Sequence, residues 1–124
     1  MPIISGATAP TFALEGVSFT GLAAPSRGSS ETSVWRVTID PHTPGTAHHV
    51  DREEIFVGVS GRAVVTLDAD RHDLHAGDAL VVPAGTEFAL ANESGEPFEA
   101  VCALPVGGQA TMPGGEPFSP PWTV

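Results

Sequence analysis

The chain has no lysine and no tyrosine, and its only cysteine is Cys102. Without lysine there is no side-chain Schiff base, and without tyrosine there is no phenolic acid or base. A single cysteine cannot close an internal disulfide, so a reducing cytoplasm is the expected compartment. Cations are scarce: Lys and Arg total 5 against 15 Asp and Glu, for a formal net charge of −10. Such a surface repels phosphate backbones and anionic lipid, so neither nucleic acid nor a membrane is expected as a partner. No segment approaches the roughly 20 apolar residues of a membrane span. The opening MPIISGATAP has no basic stretch followed by an apolar one, and no signal peptide is expected. Amphipathic runs long enough for a helix are missing. So are a nucleophile–base arrangement, a phosphate-cradling glycine loop and a CxxC pattern.

What is present fits one domain over residues 1–124. Apolar residues make up 41%, enough for a core without a disulfide or structural metal. Glycine (14) and proline (12) are abundant and show no period, which favours short strands joined by tight turns. Residues 11–24 read as one or two edge strands and 25–31 as a loop. VWRVTI (34–39) reads as a strand, and DPHTPG (40–45) as a turn, because two prolines exclude a helix there. EIFVGVS (54–60) reads as a strand, Gly61-Arg62 as a tight turn, and AVVTLD (63–68) as the strand returning beside it. A short strand and turn over 71–78, then ALVVP (79–83), TEFALAN (86–92) and PFEAVCALP (97–105), complete the pattern. Strands about ten residues apart with turn signals between them predict an antiparallel sandwich or barrel. The core is expected over about 32–105, with residues 1–31 supplying edge strands and a loop, and the Gly/Pro-rich tail 106–124 either packing on the body through Phe118 and Trp122 or free and disordered.

Glu54 and Gly61, then Gly77, Pro83, Gly85 and Asn92, fall at spacings that resemble the two motifs of the cupin family. His48 fits the first histidine position of the first motif. Val50 stands at the second, and Phe88 stands where the second motif has its histidine. The motifs cover roughly half the chain. The resemblance implies an all-β, single-domain, antiparallel jelly-roll barrel. In that family three histidines and a glutamate commonly hold a divalent metal, and this chain keeps two of the four positions. Open barrels leave edge strands, and the apolar residues of 12–22 are the expected surface of a homodimer, an association with which the resemblance agrees.

Residues 48, 50 and 54 share parity, so on a regular strand they share a face and His49 points away. A one-residue bulge would turn His49 inward, and a register shifted by one would make His49 the second motif histidine. His48, His49 and Glu54 would then form a two-histidine, one-carboxylate set for a weakly held Zn, Fe, Ni or Mn ion. Otherwise His48 and Glu54 are an acid/base pair facing a pocket, or a buried hydrogen-bonded pair that titrates as a coupled unit. Phe88 either lines a dry pocket or fills the core. Arg36 either enters the barrel mouth to bind an acidic ligand or lies on the surface. His42, His72, His75, Glu53 and Glu87 are expected in solvent, and Cys102 buried and inert. The expected function is binding of a small organic ligand between His48, Glu54 and Phe88. The alternative is a cupin enzyme: a metal-dependent dioxygenase, or a cofactor-free isomerase or cyclase with His48 or Glu54 as proton shuttle.

Overall fold

The computed structural model describes residues 3–124. Among them are eleven β-strands, three short 3₁₀ turns and no α-helix. The architecture follows from two central strands with a two-residue apolar period. In β3 (Thr32–Ile39), Ser33, Trp35, Val37 and Ile39 are buried. In β10 (Phe98–Pro105), so are Phe98, Ala100, Cys102 and Leu104. Successive side chains point to opposite faces, so each strand has one dry face and one wetter face. The two strands pair antiparallel from Phe98–Ile39 to Pro105–Thr32.

Four more strands extend this pair into one sheet. The hairpin of β1 (Thr11–Leu14) and β2 (Val17–Ala23) lies beside β3; β5 (Glu54–Ser60) and β8 (Ala79–Val82) lie beside β10. The opposing layer has two pieces. β6 (Arg62–Leu67) sits between β7 (Asp70–His75) and β9 (Phe88–Ala91), while β4 (His49–Val50) pairs with β11 (Ala110–Thr111). A backbone bridge between His48 and Phe88 joins the pieces through two N–H···O bonds of 3.0 and 2.9 Å. The two layers face each other as an antiparallel jelly roll, with Trp35, Phe56, Phe88, Phe98 and Leu104 in the core between them.

One expected connection is different. β6 does not return beside β5; it crosses to the other layer and pairs with β7 and β9. β5 instead takes β10 and β8 as partners. Gly61 makes this corner: its φ is +77°, and a Cβ there would collide with the Pro97 carbonyl and the Phe98 backbone. A glycine that reads as a hairpin turn is here the point where the chain changes sheets, under close backbone contact.

The tail beyond β10 is irregular apart from β11 and a bridge between Ala110 and Phe118. It closes over the β1–β2 side of the barrel. Trp122 stacks on Phe19 with ring centres 3.6 Å apart and nearly parallel planes, and also meets Phe12. The hydroxyls of Ser33 and Ser26 donate to the carbonyls of Thr123 and Val124, each at 2.7 Å. The rings of the 12–22 segment are thus engaged by the same chain. The strand residues with exposed apolar side chains include Val57, Val59 and Val81, on β5 and β8. No helix among the described residues is long and apolar enough to cross a membrane.

Asn92 follows β9 and is fully buried. Its amide donates to the carbonyls of Ile39 (3.0 Å) and Glu96 (2.7 Å), and its oxygen accepts from the amide and hydroxyl of Ser94. It ties the β9–β10 turn to the end of β3. Asn92→Ala removes both donors and takes from Ser94 the acceptor of its amide and hydroxyl, untying the β9–β10 turn from β3. The expected cost is about 2–3 kcal/mol, read as a lower urea midpoint.

Candidate functional site

The space between the two layers is not filled. A cavity of about 760 Å³ opens between the barrel and the tail, walled by Trp35, Val37, Phe56, Phe88, Leu104 and Trp122 among others. The polar side chains facing it lie at two depths. Glu15, Asp40 and His42 line it and are exposed, which puts them at the rim, whereas Glu54 is buried and His48 half-buried.

Glu54 opens β5, and the inward parity of that strand buries it at 5% exposure while Glu53 stays in solvent. Its Oε1 has no hydrogen-bond partner. Burial among apolar side chains disfavours the charged form and pushes the carboxyl up to about 8. At neutral pH it is therefore a carboxylic acid, a proton donor in a dry wall. His48 precedes β4 and is held by its backbone bridge to Phe88, whose ring lies 4.4 Å away. The His48 Nδ1 is 2.9 Å from the Thr46 carbonyl. A carbonyl only accepts, so Nδ1 carries the proton and Nε2 is left as the basic nitrogen. Desolvation lowers the pKa of His48, opposed by the Thr46 bond and aided by His49. Cys102, fully buried, is held well above the usual thiol range by burial and then by the neighbouring Glu54.

Phe88 lines the cavity and is buried beside His48. Two other sequence expectations are corrected. Arg36 does not enter the barrel mouth: it lies on the outward parity of β3, and its Nε makes a 2.8 Å ion pair with Glu99 on β10. His49 does not join His48 and Glu54. It alternates outward and is exposed, while Val50 turns inward. The Glu54 Oε1 accepts no hydrogen bond from His48, and burial is what raises the Glu54 carboxyl. Sequence reasoning missed the cavity-lining Trp35, Leu104 and Trp122, which read as core or tail packing. It also missed the Thr46 carbonyl that sets the His48 tautomer, a backbone group with no side-chain signal.

The arrangement is a two-layered β-barrel with an interior pocket lined by an acid and an imidazole. Residues 35–104 match the family of Cupin domains, and the chain belongs to that family. Beta-conglycinin beta subunit 1 of Glycine max is 43% identical over 56 residues, 42% of this chain but only 13% of the soybean protein. The polyketide cyclase RemF of Streptomyces resistomycificus superposes with a TM-score of 0.76 at 12% identity, over 85% of this chain and 79% of that one. A cupin-superfamily sugar phosphate isomerase from Silicibacter pomeroyi gives a TM-score of 0.72 at 18% identity, over 90% and 81%. At such identities the two structural likenesses concern the fold.

The side chains present do not fit a firmly held metal ion. Among the described residues no three His, Cys, Asp or Glu groups converge, because Val50 and Phe88 occupy the positions where the motifs have their other histidines. Two protein ligands are one or two short of a closed or catalytic site. Phe88→His should place an imidazole beside His48 and complete a three-ligand set with Glu54. The expected gain in Ni²⁺ or Zn²⁺ affinity is at least about tenfold, ~1.4 kcal/mol, by isothermal titration calorimetry.

The buried carboxyl also sets a pH dependence. In the folded chain Glu54 keeps its proton up to about pH 8, whereas an exposed glutamate ionises near its ordinary value of 4.5. Between those values the folded state holds the extra proton, so this group's contribution to stability falls as pH rises. Glu54→Gln cannot ionise. Relative to the wild type it should gain stability on going from pH 5 to pH 9, by on the order of a few kcal/mol. Urea melts of both proteins at the two pH values measure the difference, since effects of the other groups cancel between them.

Proposed function

We propose that this protein binds a small organic molecule inside its barrel, between His48, Glu54 and Phe88. The observation that carries the reading is the apolar cavity with one buried carboxyl oxygen left unpartnered. Its 760 Å³ lies within the roughly 300–1,000 Å³ of small-molecule sites. A buried polar atom without a partner costs about 1–3 kcal/mol, and a ligand that hydrogen-bonds Glu54 recovers that cost.

A second reading is that of a cofactor-free isomerase or cyclase, supported by the opposite pKa shifts of the two groups. Glu54 is raised and His48 lowered, so at neutral pH one is an uncharged acid and the other an uncharged base. Such a pair suits proton removal at His48 Nε2 and proton delivery from Glu54 Oε, in one substrate held between them.

The neutral apolar dye Nile red tests the binding reading, with one saturable site per chain expected. Leu90 lines the cavity from β9, and Leu90→Trp puts a larger ring into that space. It should weaken dye binding at least about tenfold, ~1.4 kcal/mol, with circular dichroism unchanged. Undiminished binding in a folded Leu90→Trp variant would place the dye elsewhere and defeat the reading. Glu54→Gln should keep dye binding and lose any proton-transfer turnover, which separates the two readings.

A further inference from the structure

The cavity wall is notable for the charges it omits. Its titratable side chains are Glu15, Asp40, His42, His48 and Glu54, with no arginine among them. All the cations the chain owns are arginines, and three of those are already committed. Arg27 donates to the carbonyls of Leu22, Thr8 and Ser5; Arg36 pairs with Glu99 and Arg71 with Glu93. Arg52 and Arg62 are exposed and do not line the cavity. The two histidines offer no fixed positive charge, and the one that sits deep, His48, is biased toward neutrality.

An anion entering this space would pass Glu15 and Asp40 at the rim and lose its water beside Glu54, with no cation to replace it. An unpaired buried charge of that kind is strongly unfavourable. A cation meets a different obstacle. Among the described residues Glu54 is the deep carboxyl of the cavity, buried beside its strand partner Val82 and the Cys102 thiol, and that burial favours its protonated form. A protonated carboxyl offers a donor. The group that completes it is a neutral acceptor, and the apolar walls accept the remainder of the ligand.

We propose that the ligand is an uncharged, predominantly apolar molecule carrying a carbonyl oxygen that accepts a hydrogen bond from Glu54. This rests on the binding reading above and narrows it to one chemical class: ketones, aldehydes, quinones and neutral esters rather than phosphates, carboxylates or amines. His48 Nε2, the nitrogen not engaged by Thr46, accepts from a hydroxyl of the same ligand where it has one.

Three probes of one shape decide the matter: 2-acetylnaphthalene (neutral), 2-naphthoate (anion) and 2-naphthylmethylammonium (cation), titrated calorimetrically into the wild type at pH 6.5. The ketone should bind at least tenfold more tightly than either ion. Raising the pH to 9.5 ionises Glu54 and should cut ketone affinity at least fivefold. The titratable groups that share the deep cavity or the sheet with Glu54, His48 and Cys102, are shifted toward their uncharged forms by burial. Glu54→Gln, whose amide still donates, should bind the ketone with no such pH dependence. Equal affinities, or tighter binding of either ion, would overturn the neutral-carbonyl proposal and leave the cavity a binding site. A pH effect surviving in Glu54→Gln would remove Glu54 from its role. If none of the three probes binds, nor Nile red, the binding reading itself fails and takes this one with it.

Discussion

Everything in this molecule hangs on the alternation of β3 and β10. Both are central strands, each hydrogen-bonded on two sides, and both keep a strict inward apolar set. Because the side-chain period is two, a slip of one residue between them would turn Trp35, Val37 and Ile39 out and Arg36 and Thr38 in. That penalty fixes the register, and β10 passes it on to β5, so that Glu54 faces in and Glu53 out. The functional wall is thus oriented by strands that contribute mostly hydrocarbon to it.

The parity rule made much of this legible. It placed Glu54, Val50 and His48 on one face and Glu53 and His49 on the other, as the structure has them. The glycine and proline spacing carried the jelly roll because turns need positive φ or a stopped strand: Gly77 and Gly85 have φ of +89° and +78°, and Pro83 follows the last residue of β8. What stayed hidden depends on contacts across sequence. Gly61 looks the same in a hairpin and at a corner between sheets, and only the approach of Pro97 distinguishes them. The parity of β3 turns Arg36 outward, but its partner there, Glu99, is set by pairing register: Glu99 lies opposite Thr38, diagonal to Arg36. Strand pattern marks Trp35 as inward but not as bordering empty space, since a filled barrel would read identically.

The cavity combines two features that oppose each other. An apolar wall is favourable to the fold, and an acid in that wall is not. The compromise is protonation, which lets Glu54 remain without a counter-ion. Replacement of the motif histidines by Val50 and Phe88 removes the groups that would have stabilised its charge. The same substitutions therefore weaken metal ligation and keep the carboxyl a donor.

The tail bears on how the molecule comes into being. Trp122 meets Phe19 and Thr123 meets Ser33, residues at opposite ends of the chain. Closing so long a loop costs entropy that is recovered only when the far contact forms, and folds dominated by distant pairings assemble slowly. The wall contributed by Met112, Phe118, Pro120 and Trp122 must wait for the C-terminal residues to be synthesised and docked. Both central strands end by Pro105, so a released chain cut short of Trp122 still has the strands of the barrel and would hold a groove in place of a cavity.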